Sequence, residues 1–343
     1  MSTILRSRSG AISLRVRPRA VVVGLLLTAV VVVLSLFMLT TGDLKASVPD
    51  VLRAIGGEGP RGLQLVVNTF RLPRLLTGIG VGAALGAAGA IFQSVSKNPL
   101  GSPDVIGFTT GSATGALLVL LLFQDSALGV PLGAVLGGVV SALVVYALAY
   151  RRGVQGFRLI LVGIGVSAML AAVNAYLLSR ASLKDAQNAQ HWLVGSLNGR
   201  EWTDVGTVWA SLTVLLPLVV MLGRPMSLLE MGDEAATARG VPVESTRLTL
   251  VIAGVALTAV ATAAAGPIAF VALAAPQVAH RLVRVGAAGP LLSALTGAAL
   301  LVGADLAGQR LLFPLQLPVG LSTGAIGGLY LVWLLGREWR REW

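Results

Sequence analysis

Few residues in this chain could carry chemistry. Asp305 stands inside an apolar run, where a carboxylate must be paired, accept buried hydrogen bonds, or act as a coupling group for protons or substrate. Arg310 follows it by about a turn and is the base expected to pair with it. The two histidines, His191 and His280, sit at or beyond the ends of apolar runs, and there is no cysteine to supply a disulfide, a thiolate metal site or a nucleophile. The three lysines, Lys45, Lys97 and Lys184, never follow a glycine, so the chain carries no P-loop lysine. ATP hydrolysis, if the protein uses it, belongs to another subunit. An active site needs convergent titratable groups, and none converge in this pattern. The expectation is a protein that is not an enzyme and binds neither metal nor cofactor itself, with an ion-coupled secondary transporter using Asp305 as the alternative.

These scattered groups are embedded in a strongly apolar chain. Of 343 residues, 55% are hydrophobic and 12% charged, and the mean hydropathy is +0.83, too little polar surface to coat a soluble globule of this size. The bilayer must be the solvent, and membrane lipids the first partner. Breaking the chain at charges and Gly/Pro clusters gives ten apolar segments, near 20–41, 71–95, 106–123, 129–150, 158–179, 204–223, 246–265, 267–280, 289–308 and 318–336. The break that sets the count is Gly266-Pro267; merging its two sides would leave nine spans and export the C-terminus.

Charge decides between the two. With ten spans, the presumptive cytoplasmic segments hold the five N-terminal arginines from Arg6 to Arg19, Lys97, Arg151, Arg152, Arg158, Arg224, Arg239, Arg247, Arg281, Arg284, Arg337, Arg340 and Arg341, which is 17 of the 26 basic residues. Merging would move the last five outside, against the positive-inside tendency. The same tendency explains the net charge of +11 without a nucleic-acid partner. The expected organisation is a basic cytoplasmic N-terminus over 1–19, one transmembrane domain over 20–336 and a cytoplasmic tail over 337–343. Both termini then face the cell interior.

Three hydrophilic stretches interrupt the spans. Residues 42–70 carry an amphipathic patch from Val48 to Ile55, expected to form a short surface helix. Residues 180–203 include Trp192 and Trp202, suited to a membrane interface. The third, 224–245, is the longest cytoplasmic loop and contains Leu228-Leu229-Glu230-Met231-Gly232-Asp233-Glu234-Ala235-Ala236, with Gly240 and Pro242 beyond. Acidic residues ahead of a small-residue turn suit a helix N-terminus, and Gly240 should end the helix before Pro242. Within the spans, Gly78, Gly82, Gly86 and Ala90 recur every four residues, as do Gly129, Gly133 and Gly137, a spacing that lets helices pack closely or slide during gating.

Glu234-Ala235-Ala236 followed by Gly240 resembles the coupling motif of bacterial ATP-binding cassette (ABC) importer permeases. Around it, Arg71-Leu72-Pro73-Arg74, Gly89-Ala90-Ile91-Phe92-Gln93, Asn98-Pro99-Leu100-Gly101-Ser102-Pro103-Asp104, Trp192 to Gly199, Ala265 to Leu273, Ala304-Asp305 and Leu317-Pro318-Val319-Gly320 resemble, in order, the FecCD-type permeases for ferric siderophores, haem and vitamin B12. The stretches Asn98–Phe108 and Leu229–Asp233 are most similar to the permeases of ferric enterobactin. Gln277 departs from the family pattern, which often has histidine after this proline.

The resemblance implies an all-α polytopic permease of the vitamin B12 importer type, in the bacterial cytoplasmic membrane, moving a ferric siderophore by alternating access. Its implied partners are ABC ATPase subunits, a second permease subunit in a heterodimer or homodimer, and an extracytoplasmic substrate-binding protein. It implies that Glu230, Gly232, Asp233, Glu234, Ala235, Ala236 and Gly240 couple to the ATPase. Arg71 and Arg74, and by a looser alignment Arg310, would dock the binding protein, unless these arginines only reach lipid headgroups. Asn98 and Leu100, at the proline corner after the second span, would form an inner gate, unless the corner is simply a tight turn. The family's other gate position, near the fifth span, is not matched by Gly156 or Phe157.

Overall fold

The computed structural model describes residues 3–6, 13–16, 18–42, 44–104, 107–123, 129–150, 156–284, 289–311 and 316–339. Arg8, Arg17, Arg151, Arg152, Arg340 and Arg341, six of the basic residues counted above, lie outside them.

Among the described residues, seven helical stretches are long and apolar enough to cross a membrane. They are α1 (Pro18–Thr40), a continuous rod from Arg61 to Ser96, α6 (Gly129–Ala149), α7 (Gly156–Arg180), α9 (Trp202–Met221), α12 (Val243–Ala265) and α14 (Gly289–Arg310). The rod comprises α3 (Arg61–Leu65), a π-helical segment Val66–Arg71 and α4 (Leu72–Ser96). The other three apolar segments hold α5 (Phe108–Leu118, continued by π-helical turns to Phe123), α13 (Val271–Val283) and α15 (Val319–Trp339). At about 1.5 Å per residue, α13 spans only about 20 Å, less than the hydrocarbon core. The Gly266-Pro267 break is real: α12 stops at Ala265, and Gly266 and Phe270 take positive φ of 73° and 69° before α13 begins.

Connecting helices appear where polarity demanded them. Ser47 and Asp50 form a reciprocal capping box at the start of α2 (Val48–Ile55), the surface helix expected there. Ser182 caps α8 (Leu183–Leu193). One expectation needs correcting, because the chain is not purely helical: Thr3–Arg6 and Ser13–Val16 pair as a short antiparallel hairpin. That stretch was read for its charge alone, and an alternating segment such as Ser13-Leu14-Arg15-Val16 also suits a strand.

The interior is organised around α4, which packs against α14, α12, α13 and α9. Its glycines explain the close approach. A Cβ added to Gly82 would lie 2.5 Å from the Gly297 carbonyl oxygen, and one on Gly86 would strike the backbone of Ser293. On the other side of the molecule Gly133 and Gly137 of α6 meet Gly115 and Gly111 of α5 backbone to backbone. The small-residue stripes are thus packing surfaces between neighbouring helices. Outward faces remain apolar, with Leu132, Leu136, Val140 and Leu143 of α6 exposed as a lipid-facing strip.

Candidate functional site

Polar side chains gather at the two ends of α4. At its first end, Arg74 lies one turn inside the helix and faces α14. Its Nε donates to Asp305 Oδ2 at 2.9 Å and its Nη2 to Oδ1 at 2.7 Å, a bidentate pair in which the Asp305 side chain is 1% exposed and the Arg74 side chain 14%. Gln309 donates to Asp305 Oδ2 at 2.9 Å, and Arg74 also donates to Asn198.

This corrects the expected partner of Asp305. Arg310 is five residues on, about 140° around the helix, so its side chain leaves in another direction, whereas Gln309 at four residues shares the face. Arg71 is tied elsewhere, donating to the carbonyls of Leu39 (2.6 Å) and Leu44 (2.7 Å) and so holding the end of α1. Arg71, Arg74 and Arg310 nonetheless line one cavity of about 430 Å³, with Gln309 and Gln316. The three arginines therefore converge, although Arg74 is largely consumed by its buried partner.

At the other end, Lys97 terminates α4 in the left-handed conformation (φ 51°). The corner that follows is closed by local bonds: Asn98 Oδ1 accepts from Leu100 N at 2.9 Å, and Gly101 N donates to Asn98 O at 2.9 Å. Leu100 is exposed. From α13, Gln277 Nε2 donates to Pro99 O at 2.8 Å, so the residue that departs from the family pattern holds this corner. A cavity of about 660 Å³ opens beside it, lined by Asn98, Leu100, Glu230, Gln277, His280 and Arg281 among others.

The loop between α9 and α12 folds as two helices, α10 (Gly223–Glu230) and α11 (Asp233–Thr237), separated at Gly232, whose φ is 115°. Gly240, at φ 78°, ends the turn, and Val241 N returns to Ala236 O at 3.1 Å. Ala236 is buried while Glu234, Thr237 and Gly240 are exposed, so α11 presents an outward face over an anchored inner one. The residues grouped from the motif do not all share that face. Glu230 ends α10 beside the inner cavity, where burial pushes its carboxyl above the usual range, opposed by Ser94 and His280.

Asp233, the first residue of α11, is held from two sides. Its Oδ1 meets Lys97 Nζ at 2.8 Å, and Arg247 Nη2 from the second turn of α12 reaches Oδ1 at 2.9 Å and Oδ2 at 3.0 Å. Burial alone would raise this carboxyl, but the bonds and charges of Lys97 and Arg247 outweigh it and hold it below the ordinary carboxylate range. A depressed pKa means that the attraction is complete above the ordinary value and is lost only as pH falls through the lowered one.

This architecture has known counterparts. The FecCD transport family model matches residues 27–337. The chain belongs to the FecCD family. It is 46% identical to the ferric enterobactin transport system permease protein FepG of Escherichia coli (strain K12), over 94% of this chain and 98% of that protein. It is 38% identical to the achromobactin transport system permease protein CbrC of Dickeya dadantii (strain 3937), over 98% of each. A solved structure assigned to the metal-chelate type of ABC transporter, in an inward-facing conformation, superposes with a TM-score of 0.82 at 25% identity, covering 92% of this chain and 99% of that one.

The FecCD member is thus a multi-pass membrane protein homologous to the permease subunits of siderophore ABC importers. Four of the residues that build its polar ends went unassigned in the sequence reading: Asn198, Gln309, Lys97 and Arg247. Asn198 and Lys97 lie within stretches or charge counts already singled out, but their partners are on other helices. Arg247, in the second turn of α12, gave no signal beyond its charge.

Proposed function

We propose that this permease carries a ferric siderophore of the enterobactin class across the bacterial cytoplasmic membrane, driven by ATP hydrolysis on partner ATPase subunits. The reading rests on the 46% identity to FepG over nearly the whole of both chains. In this reading the chain crosses the membrane ten times as one domain over 20–336, with the basic residues 1–19 and the tail 337–343 in the cytoplasm. A second permease subunit completes the path and an extracytoplasmic binding protein delivers the chelate. This chain binds no cofactor; ATP and Mg act at the ATPase.

Each end of α4 then has a part. Arg71 and Arg310, with the remaining exposure of Arg74, would receive acidic residues of the binding protein, where charge pairs steer encounter and fix register. Asn98 and Leu100 would close the inner mouth. The exposed face of α11, with Glu234 and the Gly240 stop, would dock on the ATPase, and Ala235 and Ala236 allow that short helix to lie close to the bundle. An ion-coupled carrier has no support, since Asp305 is already engaged by Arg74 and Gln309.

The test is uptake of ferric enterobactin by proteoliposomes holding the complete importer. Glu234→Lys combined with Gly240→Pro should abolish ATP-dependent uptake while the permease stays in the membrane. Normal uptake by that variant would reject α11 as the coupling element.

A further inference from the structure

The bonds of Asp233 bring side chains of three elements, α4, α11 and α12, to one carboxylate. Lys97 is the last residue before the Asn98-Pro99-Leu100 corner and comes from α4; Asp233 begins α11; Arg247 belongs to α12. The three meet through one carboxylate, with Lys97 and Arg247 both within 2.9 Å of the same oxygen. Arg247 is anchored: its side chain is 5% exposed, and its Nη1 lies 3.3 Å from Glu244 Oε2 one turn earlier. Lys97 is itself fixed by backbone, since its left-handed φ terminates α4 and its N–H returns to Ser94 O.

We propose that Lys97 and Arg247 are positioning residues that convert displacement of α11 into displacement of the inner corner, with Asp233 as the shared joint. The inference rests on the reading of α11 as the coupling helix. A shift of Asp233 pulls Lys97, and Asn98 and Leu100 follow within three residues on a corner already closed by its own hydrogen bonds. Arg247 transmits the same shift to α12, which packs along α4. On the opposite side Gln277 ties Pro99 to α13, so the corner lies between a link to the coupling segment and a link to a neighbouring span. The Lys97–Asp233 pair is partly exposed, with 38% and 48% of the two side chains accessible. Exposed ion pairs contribute little to stability, so removing the link should leave the fold in place.

The experiment uses the complete importer in proteoliposomes, measuring ATP hydrolysed and ferric enterobactin taken up on the same sample. Lys97→Met should leave assembly with the ATPase and hydrolysis intact but lower uptake per ATP by about fivefold, the lower end of ordinary coupling between sites. Lys97→Arg, which keeps the charge, should restore it. Unchanged uptake per ATP in Lys97→Met overturns the inference, as does failure of Lys97→Arg to rescue or loss of ATPase assembly, which would mark the residue as a structural staple. Because the chain has no cysteine of its own, spin labels at Leu100→Cys on the corner and Thr237→Cys on α11, both exposed and outside the Lys97–Asp233 pair, report whether the two elements move together. Their separation should stay constant between nucleotide-free and ATP-bound states, and a change of more than about 5 Å, roughly one helical turn, would show that the two elements move independently. The double variant at Glu234 and Gly240 separates the two levels: if it transports normally, the coupling reading itself has failed, and if only Lys97→Met does, the link alone has.

Discussion

Removing the Arg74 side chain should expose how much of the fold depends on the polar cluster at the first end of α4. In Arg74→Ala, Asp305, whose side chain is 1% exposed in the parent protein, keeps only the amide of Gln309 among its side-chain partners. Breaking a buried pair by deleting one partner costs about 3–5 kcal/mol, because the remaining charge is stranded. Asp305→Asn is milder, about 1–3 kcal/mol, since Arg74 still reaches Asn198 and borders the arginine-lined cavity. Replacing both, as Arg74→Met with Asp305→Leu, removes the desolvation cost together with the attraction and should come within about 1 kcal/mol of the parent protein.

The cycle formed by Arg74→Met, Asp305→Leu and their double, in which each single substitution strands its partner, should therefore return a coupling energy of at least about 2 kcal/mol, read from reversible unfolding in mixed micelles as the fraction of denaturing detergent is raised. If the single substitutions add within about 0.5 kcal/mol, the two side chains are not paired in the folded protein, and the orientation deduced for Asp305 is wrong. A further outcome concerns function. Because its guanidinium is committed to Asp305, Arg74 should influence docking of a binding protein mainly through stability, leaving Arg71 and Arg310 to give the salt-dependent part.

Two other outcomes follow from local geometry. Gly82→Val should destabilise by about 1–3 kcal/mol or force α4 and α14 apart, seen as a lower detergent-unfolding midpoint, since even a Cβ there would lie 2.5 Å from the Gly297 carbonyl oxygen. Glu230→Gln should raise stability slightly at neutral pH, by less than about 1 kcal/mol given its partial solvation, with the gain vanishing as pH falls through the raised pKa: a carboxyl held above its ordinary value costs stability only once it is forced to ionise. Thermal midpoints of both proteins between pH 4 and 8 check the sign, and a gain that grows toward acid would contradict it.

What could be read from the sequence was mostly local. The surface helix from Val48 to Ile55, the stop at Gly240 and the break after Ala265 each depend on residues close together in the chain, and each falls where the sequence placed it. The four-residue glycine spacing was legible as a contact surface, but not the identity of the facing helix. The side-chain clusters were not legible in the same way. Asp305 and Arg74 are 231 positions apart, and Asp233 is joined to Lys97 across 136. Apolar helices in a bilayer carry no pattern that says which charge on one will meet which on another, and the nearest basic residue in sequence, Arg310, was the natural but mistaken partner. Spans were legible as apolar segments, while their lengths were not: α5 and α13 are cut short by the glycine and proline signals that also define them.

The positions of these clusters constrain how the molecule can move. Alpha-helix α4 is about 37 Å long and buried along most of its length, with one end clamped to α14 by Arg74 and Asp305 and the other to α11 and α12 by Lys97 and Asp233. Between the clamps, Gly82 and Gly86 meet the backbone of α14 so closely that sliding would bring a carbonyl against each neighbouring Cβ, as it would at Gly297. A stripe of small residues permits sliding only where the opposing surface is smooth, and here the backbones interlock. This interlocking and the Arg74–Asp305 pair favour α4 and α14 moving as one body, so that alternating access would come from its rotation against other parts of the bundle. A load applied at Asp233 would then reach the Arg74 end through a rigid lever, with no relay of small side-chain shifts along the membrane interior.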